Sequence, residues 1–127
     1  MRRRREGGAA VVDFVLVTAV VVPLVLGVIQ VGLVLHVRNT LTAAASDGAR
    51  FAATADHGPT DGVARTRSVV SGILAGRYAG EVTAQATAVG GYSGVEVRVE
   101  AEVPALGLFG PAVAVSVEGH AVEEQPP

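Results

Sequence analysis

Few side chains in this 127-residue chain could do chemistry. One of them is Asp13, a carboxylate at the start of a long apolar run, where a charge is costly and therefore points to a function. The three histidines, His36, His57 and His120, are scattered, and none has the spacing of a metal-binding motif such as HExxH. The chain contains no cysteine, which excludes disulfide bonds and thiolate catalysis. Asp13 is thus the residue whose position most needs an explanation.

Enzyme motifs are not found in the sequence either. Asp56 and His57 are adjacent, but such a pair forms no catalytic dyad without a nucleophile, and no Gly-x-Ser-x-Gly is present. The glycine-rich stretch GGYSG, residues 90–94, precedes a predicted strand, whereas a phosphate-binding loop precedes a helix. We therefore predict that the protein is not an enzyme and that it binds no metal, no cofactor and no small-molecule substrate.

The element that must position Asp13 is an uncharged, mainly apolar stretch of 22 residues, from Phe14 to Leu35. As a helix it would be about 33 Å long, enough to cross a hydrocarbon core of about 30 Å. Pro23 lies near its middle and is expected to bend the helix, which membrane helices tolerate better than soluble ones. The stretch therefore predicts a transmembrane helix, with a membrane segment at residues 9–37.

The charges predict the orientation of this helix. Residues 1–8 hold four arginines and one glutamate, whereas residues 39–127 hold five arginines and ten acids. Because basic clusters beside a membrane helix stay in the cytoplasm, we expect a cytoplasmic basic leader at 1–8 and a translocated C-terminal part. The acidic C-terminal part also argues against a nucleic-acid-binding surface.

A cleaved secretory signal peptide is the competing explanation of the basic and apolar N-terminus. The apolar core of a signal peptide is about 7 to 15 residues long, which is shorter than this stretch. The small-residue site at Ala43–Ala45 lies well beyond the apolar stretch. Cleavage there would release a small secreted protein that starts near residue 46 and has no membrane association.

Beyond the membrane the helix is predicted to continue to about Ala55. A polar stripe and a small apolar face repeat there at helical spacing, and Asp47 and Arg50 are placed to form an i, i+3 ion pair. The stripe consists of Arg38, Thr42, Ser46 and Arg50, and the apolar face consists of Leu41, Ala45, Ala49 and Ala52. This half of the helix is expected to pack on a head at residues 38–122.

A second helix and a small sheet complete the predicted head. The loop 56–62 precedes a helix at about 61–79, capped by Thr60 or Asp61. The apolar face of this helix consists of Val63, Val70, Ile73, Leu74 and Tyr78.

Alternating apolar and polar residues predict the strands of this sheet. Two strands, at about 82–88 and 95–103, are joined by a hairpin at 90–94, and a third lies at 112–118. The inward residues of the third strand are Val113, Val115 and Val117. The predicted fold is α+β: a long N-terminal transmembrane helix that continues into a small head, where a second helix packs on a three-stranded antiparallel sheet.

Two further segments flank the last strand. PALGLFGP, residues 104–111, carries a bulky apolar cluster of Leu106, Leu108 and Phe109. This segment is either a loop folded back on the core or a contact surface for a partner or the membrane. The tail EEQPP, residues 123–127, is predicted to be disordered.

Three stretches within residues 7–53 resemble the TadE-like pseudopilins of tight-adherence (Flp-type) pilus systems. They are GGAAVVDFVLV, PLVLG and VRNTLTAAASDGARFAA. Proteins of this family open with Gly-x-x-x-x-Glu-Phe, continue with an apolar span that contains Pro and Gly, and end this region with Asn-x-x-x-x-Ala-Ala-x-x-Gly-Ala-Arg. The residues that fit the last pattern are Asn39, Ala44, Ala45, Gly48, Ala49 and Arg50.

The resemblance implies a processing site at the start of the apolar stretch. A prepilin-type peptidase would cut on the cytoplasmic side between Gly8 and Ala9. Asp13 would then be the fifth residue of the mature chain and Phe14 the sixth. The family usually has Glu where this chain has Asp13, which keeps the charge on a side chain one methylene shorter.

The resemblance also gives Asp13 a role in assembly. Cleavage would create an α-amino group on Ala9, which is positively charged near neutral pH. Asp13 of a neighbouring subunit can pair with that cation and lower the cost of burying both charges. The simpler alternative is that Asp13 is solvated among the lipid headgroups. A cut after Gly7 would place Val12 in the fifth position, so the carboxylate favours Gly8.

The resemblance implies a minor pilin or pseudopilin, a membrane-anchored assembly component of a Flp-type pilus. Its expected partners are a prepilin-type peptidase, other pilins and the inner-membrane assembly platform. It is expected in the inner membrane of a bacterium as a single-pass protein, with its N-terminus inside and its head outside. The alternative is a permanently anchored single-pass protein with an extracytoplasmic binding domain, which would keep its N-terminus and be indifferent to Gly8→Ala.

Overall fold

The computed structural model describes residues 2–73, 80–104 and 112–125. In these residues the chain forms two helices and three strands: α1 (Arg2–Ala52), α2 (Pro59–Ile73), β1 (Val82–Val89), β2 (Tyr92–Val103) and β3 (Val113–Val122). The strands form one antiparallel sheet in the order β1-β2-β3. The predicted α+β fold is therefore confirmed.

The long helix α1 has two halves with opposite environments. Every residue from Arg5 to Ile29 is exposed, whereas the half that ends at Ala52 packs against the sheet and α2. The apolar face predicted for this second half is buried, because Leu41, Ala45 and Ala49 are fully covered. The helix continues through Pro23, and the bend expected there stays a prediction.

One face of the sheet forms the core with α1. Cross-strand pairs such as Val82 with Val99 and Val99 with Val117 place apolar side chains side by side on this face. The burial of alternate residues along β2 follows the predicted period of two. The buried sheet residues on this face are Val82, Val95, Val97, Val99, Ala101, Val103, Val115 and Val117.

The turn between β1 and β2 is tighter than predicted. It consists of Gly90 and Gly91 alone, with φ of 58° and 87°, and Val89 pairs directly with Tyr92. Two consecutive positive φ values are typical of a type I′ hairpin turn, which glycine adopts without strain. The predicted turn, residues 90–94, is therefore too long, because Tyr92 and the two residues after it belong to β2.

The strand β3 is longer than the predicted 112–118, since it continues to Val122. Glycine usually weakens a strand, but Gly119 allows α1 to approach the sheet closely. A Cβ atom on Gly119 would lie 2.4 Å from the backbone carbon of Ala45 and from the backbone nitrogen of Ser46. The alternation of apolar and polar residues does not reveal this part of β3, because Gly119 is there to let α1 pack closely on the strand.

The helix α2 begins two residues before the predicted position. Pro59 occupies its first turn, where the missing N–H of proline costs nothing. Asp61 caps the helix from inside the first turn, because its carboxylate accepts a hydrogen bond from the backbone N–H of Gly58 at 2.9 Å. Val70 is buried as predicted. Leu74 and Tyr78, which were predicted on the same apolar face, lie outside the described residues.

The first two residues of the predicted tail, Glu123 and Glu124, form backbone hydrogen bonds with the head. The backbone N–H of Glu123 donates to the carbonyl of Ser93 at 2.9 Å, and that of Glu124 donates to the carbonyl of Ala53 at 2.8 Å. The first bond extends the pairing of β3 with β2, and the second fastens the segment after β3 to the end of α1. Disorder of the segment 123–127 stays a prediction, and two of its residues, Glu123 and Glu124, bond to the head.

Candidate membrane anchor and processing site

The predicted processing site lies on the exposed first turns of α1. Gly7 and Gly8 are both exposed, and a Cβ atom on either would meet no other atom within 4 Å. Each glycine destabilises a helix by about 1 kcal/mol relative to alanine. Two adjacent glycines therefore favour local unwinding at the bond between Gly8 and Ala9, which a peptidase needs in order to reach a peptide bond.

Asp13 lies four residues after Ala9, about one helical turn, so the two residues share a face of α1. Its side chain is exposed, and no cation of the described residues pairs with it. The side chain of the next residue, Phe14, is also free of the head and is 71% exposed. The structure thus brings Gly8, Ala9, Asp13 and Phe14 together on one unobstructed helix end.

The apolar part of α1 is uncovered by the rest of the protein. The helix is long and apolar enough to cross a membrane, and none of its most apolar 18-residue window is buried. A core helix of a soluble domain would instead bury such residues against its neighbours. Exposure of this extent indicates that lipid or another helix covers this surface.

The head begins to contact α1 at Gln30, within the segment 9–37 predicted for the membrane. The side-chain amide of Gln30 donates a hydrogen bond to the backbone carbonyl of Pro104 at 3.3 Å. Leu33 and Val34 are partly buried against the core, and Val37 is fully buried. The freely exposed helix therefore ends at about residue 29, eight residues earlier than the predicted end of the membrane segment.

A polar network that sequence reasoning missed lies on the outer face of the sheet. Glu96, Arg98, Glu118 and His120 are outward residues of β2 and β3, and cross-strand pairing places Glu96 opposite His120 and Arg98 opposite Glu118. The imidazole Nε2 of His120 lies 3.0 Å from Glu96, and Arg98 donates to both carboxylates. The strand register is the signal that would have found this network.

Three of these side chains are close enough to bind a metal ion, but the guanidinium of Arg98 lies against their carboxylates. The potential ligand atoms of Glu96, Glu118 and His120 lie within 4.8 Å of one another. The guanidinium of Arg98 already provides the positive charge that these carboxylates require. The arrangement acts as an ion-pair network that ties β2 to β3.

Two further predicted features have different outcomes. The carboxylate of Asp47 pairs with Arg65 of α2 at 2.8 Å rather than with Arg50, so this prediction was wrong. Arg50 is exposed and forms no ion pair with the described residues. Leu106, Leu108 and Phe109, predicted as a core or partner-contact loop, lie outside the described residues.

Comparison with known families concerns the N-terminal helix. Residues 8–50 match the family model for TadE-like protein. This TadE-like segment begins at Gly8, ends within α1 and covers about a third of the chain. The match confirms the resemblance predicted from the sequence. No curated protein and no solved structure gives a significant match.

The TadE-like segment therefore consists of the exposed anchor and the head-packing half of one continuous helix. Its match and its apolar surface fit a membrane-anchored, pilus-associated protein.

Proposed function

We propose that the protein is a minor pilin or pseudopilin of a tight-adherence (Flp-type) pilus, processed by a prepilin-type peptidase after Gly8. The observation that carries this proposal is the position of Gly8, Asp13 and Phe14. They lie at the start of an exposed apolar helix, within the segment that matches TadE-like proteins. Its role would be structural, with no catalytic turnover of its own.

The length of the free helix supports cleavage at this bond. From Ala9 to Ile29 the helix has 21 residues and is about 31 Å long, close to the hydrocarbon thickness of about 30 Å. Removal of residues 1–8 would also remove the four arginines that precede the free helix. The mature chain would then enter the bilayer near its first residue and leave it where the head begins.

In this placement Asp13 would lie about 6 Å from Ala9 along the helix axis, inside the hydrocarbon boundary. An isolated carboxylate there is costly, so it requires a cation. The new α-amino group of Ala9 on a neighbouring subunit is the cation that processing would supply. Such a pair would favour assembled subunits over isolated ones, because separating two subunits would break the ion pair and leave a charge uncompensated in the membrane.

The partners follow from this account. The peptidase would act on the cytoplasmic side, and sister pilins and the inner-membrane assembly platform would contact the apolar surface of α1. The arginine cluster before the helix supports an N-terminus in the cytoplasm and a head outside the bacterial inner membrane.

Co-expression with a prepilin-type peptidase tests the processing step. Membranes from cells with and without the peptidase are compared by the intact mass of the protein. We expect the loss of residues 1–8 only when the peptidase is present. An unchanged mass in both samples would favour a permanently anchored protein with an extracytoplasmic binding domain.

A further inference from the structure

Positions along α1 and along β2 can be compared as distances from one shared point, because two contacts join the helix to the sheet. Gln30 contacts Pro104, and Ala45 contacts Gly119, which pairs with Val97 of β2. Ala45 lies 15 residues after Gln30, about 22 Å along the helix. Val97 lies seven residues before Pro104, about 24 Å along the strand. The agreement shows that α1 and β2 run alongside each other, so residue spacing measures height above the Gln30–Pro104 contact.

An unpaired cation lies low on the α1 side of the head. Arg38 is exposed and lies eight residues after Gln30, at a height of about 12 Å. It lines a groove against β3 together with Glu118, but the carboxylate of Glu118 is bound by Arg98. Among the residues that the structure describes, no acid forms an ion pair with Arg38. This guanidinium is therefore available to a partner.

An unpaired acid lies at the same height on the outer face of the sheet. Glu100 is exposed and lies four residues before Pro104, at a height of about 14 Å. Its neighbour on this face, Glu102, is also exposed, and neither forms an ion pair within the described part of the chain. Glu100 pairs across the sheet with Ser116 of β3, so the edge strand separates it from Arg38 within one chain.

Anchoring in one membrane restricts how two copies can meet. Copies that share a bilayer have parallel α1 helices, so groups at similar heights, within the reach of a side chain, face each other when the heads lie side by side. We propose that Arg38 of one copy pairs with Glu100 of a second copy, with the outer sheet face of one head against the α1–β3 side of the next. This inference rests on the proposed function, in which the chain assembles with pilin-like subunits.

The contact joins two different surfaces, so it can repeat from copy to copy. Each head presents Arg38 on one side and Glu100 on another, and a third copy can use the surface that the second leaves free. A contact of this kind would add an extracytoplasmic interaction to the packing of helices in the membrane.

Cysteine cross-linking in membranes tests the contact, and the absence of native cysteine gives it a clean background. Full-length Arg38→Cys and Glu100→Cys chains are co-expressed and treated with a short bis-maleimide, because an Arg–Glu pair can hold its Cα atoms farther apart than the roughly 7 Å that a disulfide allows. The matched control pairs Glu100→Cys with Arg50→Cys, which lies in the same polar stripe about 18 Å higher. We expect a cross-linked dimer from the first pair and little from the control. No dimer, or equal yields from both pairs, would overturn the proposal.

Charge reversal provides a second test with exposed residues that the fold does not need. An exposed ion pair raises an association constant by roughly 1.5- to 5-fold. Arg38→Glu and Glu100→Arg should therefore each reduce the yield of chemical cross-linking by about that factor or more. The double variant should restore it, since the pair is re-formed with its charges exchanged. Failure of the double variant to recover would contradict a direct pair.

The N-terminal residue is determined on the same samples, so that the two proposals can fail separately. A cross-linked dimer that retains residues 1–8 would support the contact and contradict the processing. A chain that starts at Ala9 but gives no dimer would support the processing and overturn the contact.

Discussion

The side-chain amide of Gln30 donates a hydrogen bond to the backbone carbonyl of Pro104, 74 residues later in the chain. This bond marks the point on α1 where the exposed anchor ends and the head begins. The part of α1 between Ala9 and this contact is about as long as the hydrocarbon core of a bilayer is thick. In the proposed placement Asp13 falls within the membrane, which makes its charge the most informative feature of the helix.

Removing the charge of Asp13 should separate insertion from assembly. Asp13→Ala should insert at least as well, because a carboxylate opposes insertion by up to roughly 3 kcal/mol, the cost at the helix centre, and Asp13 lies closer to the helix end. Assembly should fall by about 100-fold or more, since breaking a buried ion pair costs roughly 3–5 kcal/mol. Membrane fractionation measures the first effect and pilus yield measures the second.

Asp13→Glu is the matched control, because it keeps the charge on a side chain one methylene longer. It should retain assembly at close to the level of the unmodified protein. Normal pilus yield from Asp13→Ala would show that the carboxylate has no docking role.

The two glycines before the cut provide a positional test of processing. Gly8→Val should block removal of residues 1–8, whereas Gly7→Val should leave it largely intact, because only Gly8 precedes the predicted bond. Neither substitution creates a clash within the protein, since both positions are open. Intact masses of the two variants, co-expressed with the peptidase, give the result. Equal processing of both variants would mean that the cut lies elsewhere.

The contact between Gly119 and α1 predicts a stability effect in the head. Gly119→Ala should destabilise the protein by about 1–3 kcal/mol, because its Cβ would overlap the backbone of Ala45 and Ser46. Gly72→Ala is the control, since this exposed helix position is open and alanine favours helix by up to about 1 kcal/mol.

Thermal unfolding of the two glycine variants in detergent, followed by circular dichroism, should therefore shift in opposite directions. A neutral Gly119→Ala would show that α1 lies farther from the sheet than the structure indicates.

Much of the fold could be predicted because its signals are local. The apolar stretch from Phe14, the helical spacing of Leu41, Ala45 and Ala49, and the alternation along β2 each reflect a single element. These patterns were enough to give the α+β arrangement and the burial of the correct face of α1.

The features that were missed depend on contacts between distant segments. Nothing near Gln30 in the sequence shows that it meets Pro104, and the partner of Asp47 lies on another helix. The predicted end of β3 is too early because glycine weakens a strand locally. Gly119 is nevertheless part of β3, where the lack of a side chain lets α1 pack closely on the sheet. The outer network of Glu96 and Arg98 likewise required the strand register.

The identity of the N-terminal residue in the native membrane tests the central claim most directly. The protein is isolated from that membrane, and its N-terminal peptide is identified by mass spectrometry. The account predicts a chain that starts at Ala9, with Asp13 as its fifth residue. A chain that starts at Met1 or Arg2 would contradict it, because the arginine cluster would then be only a topology signal beside a permanent anchor.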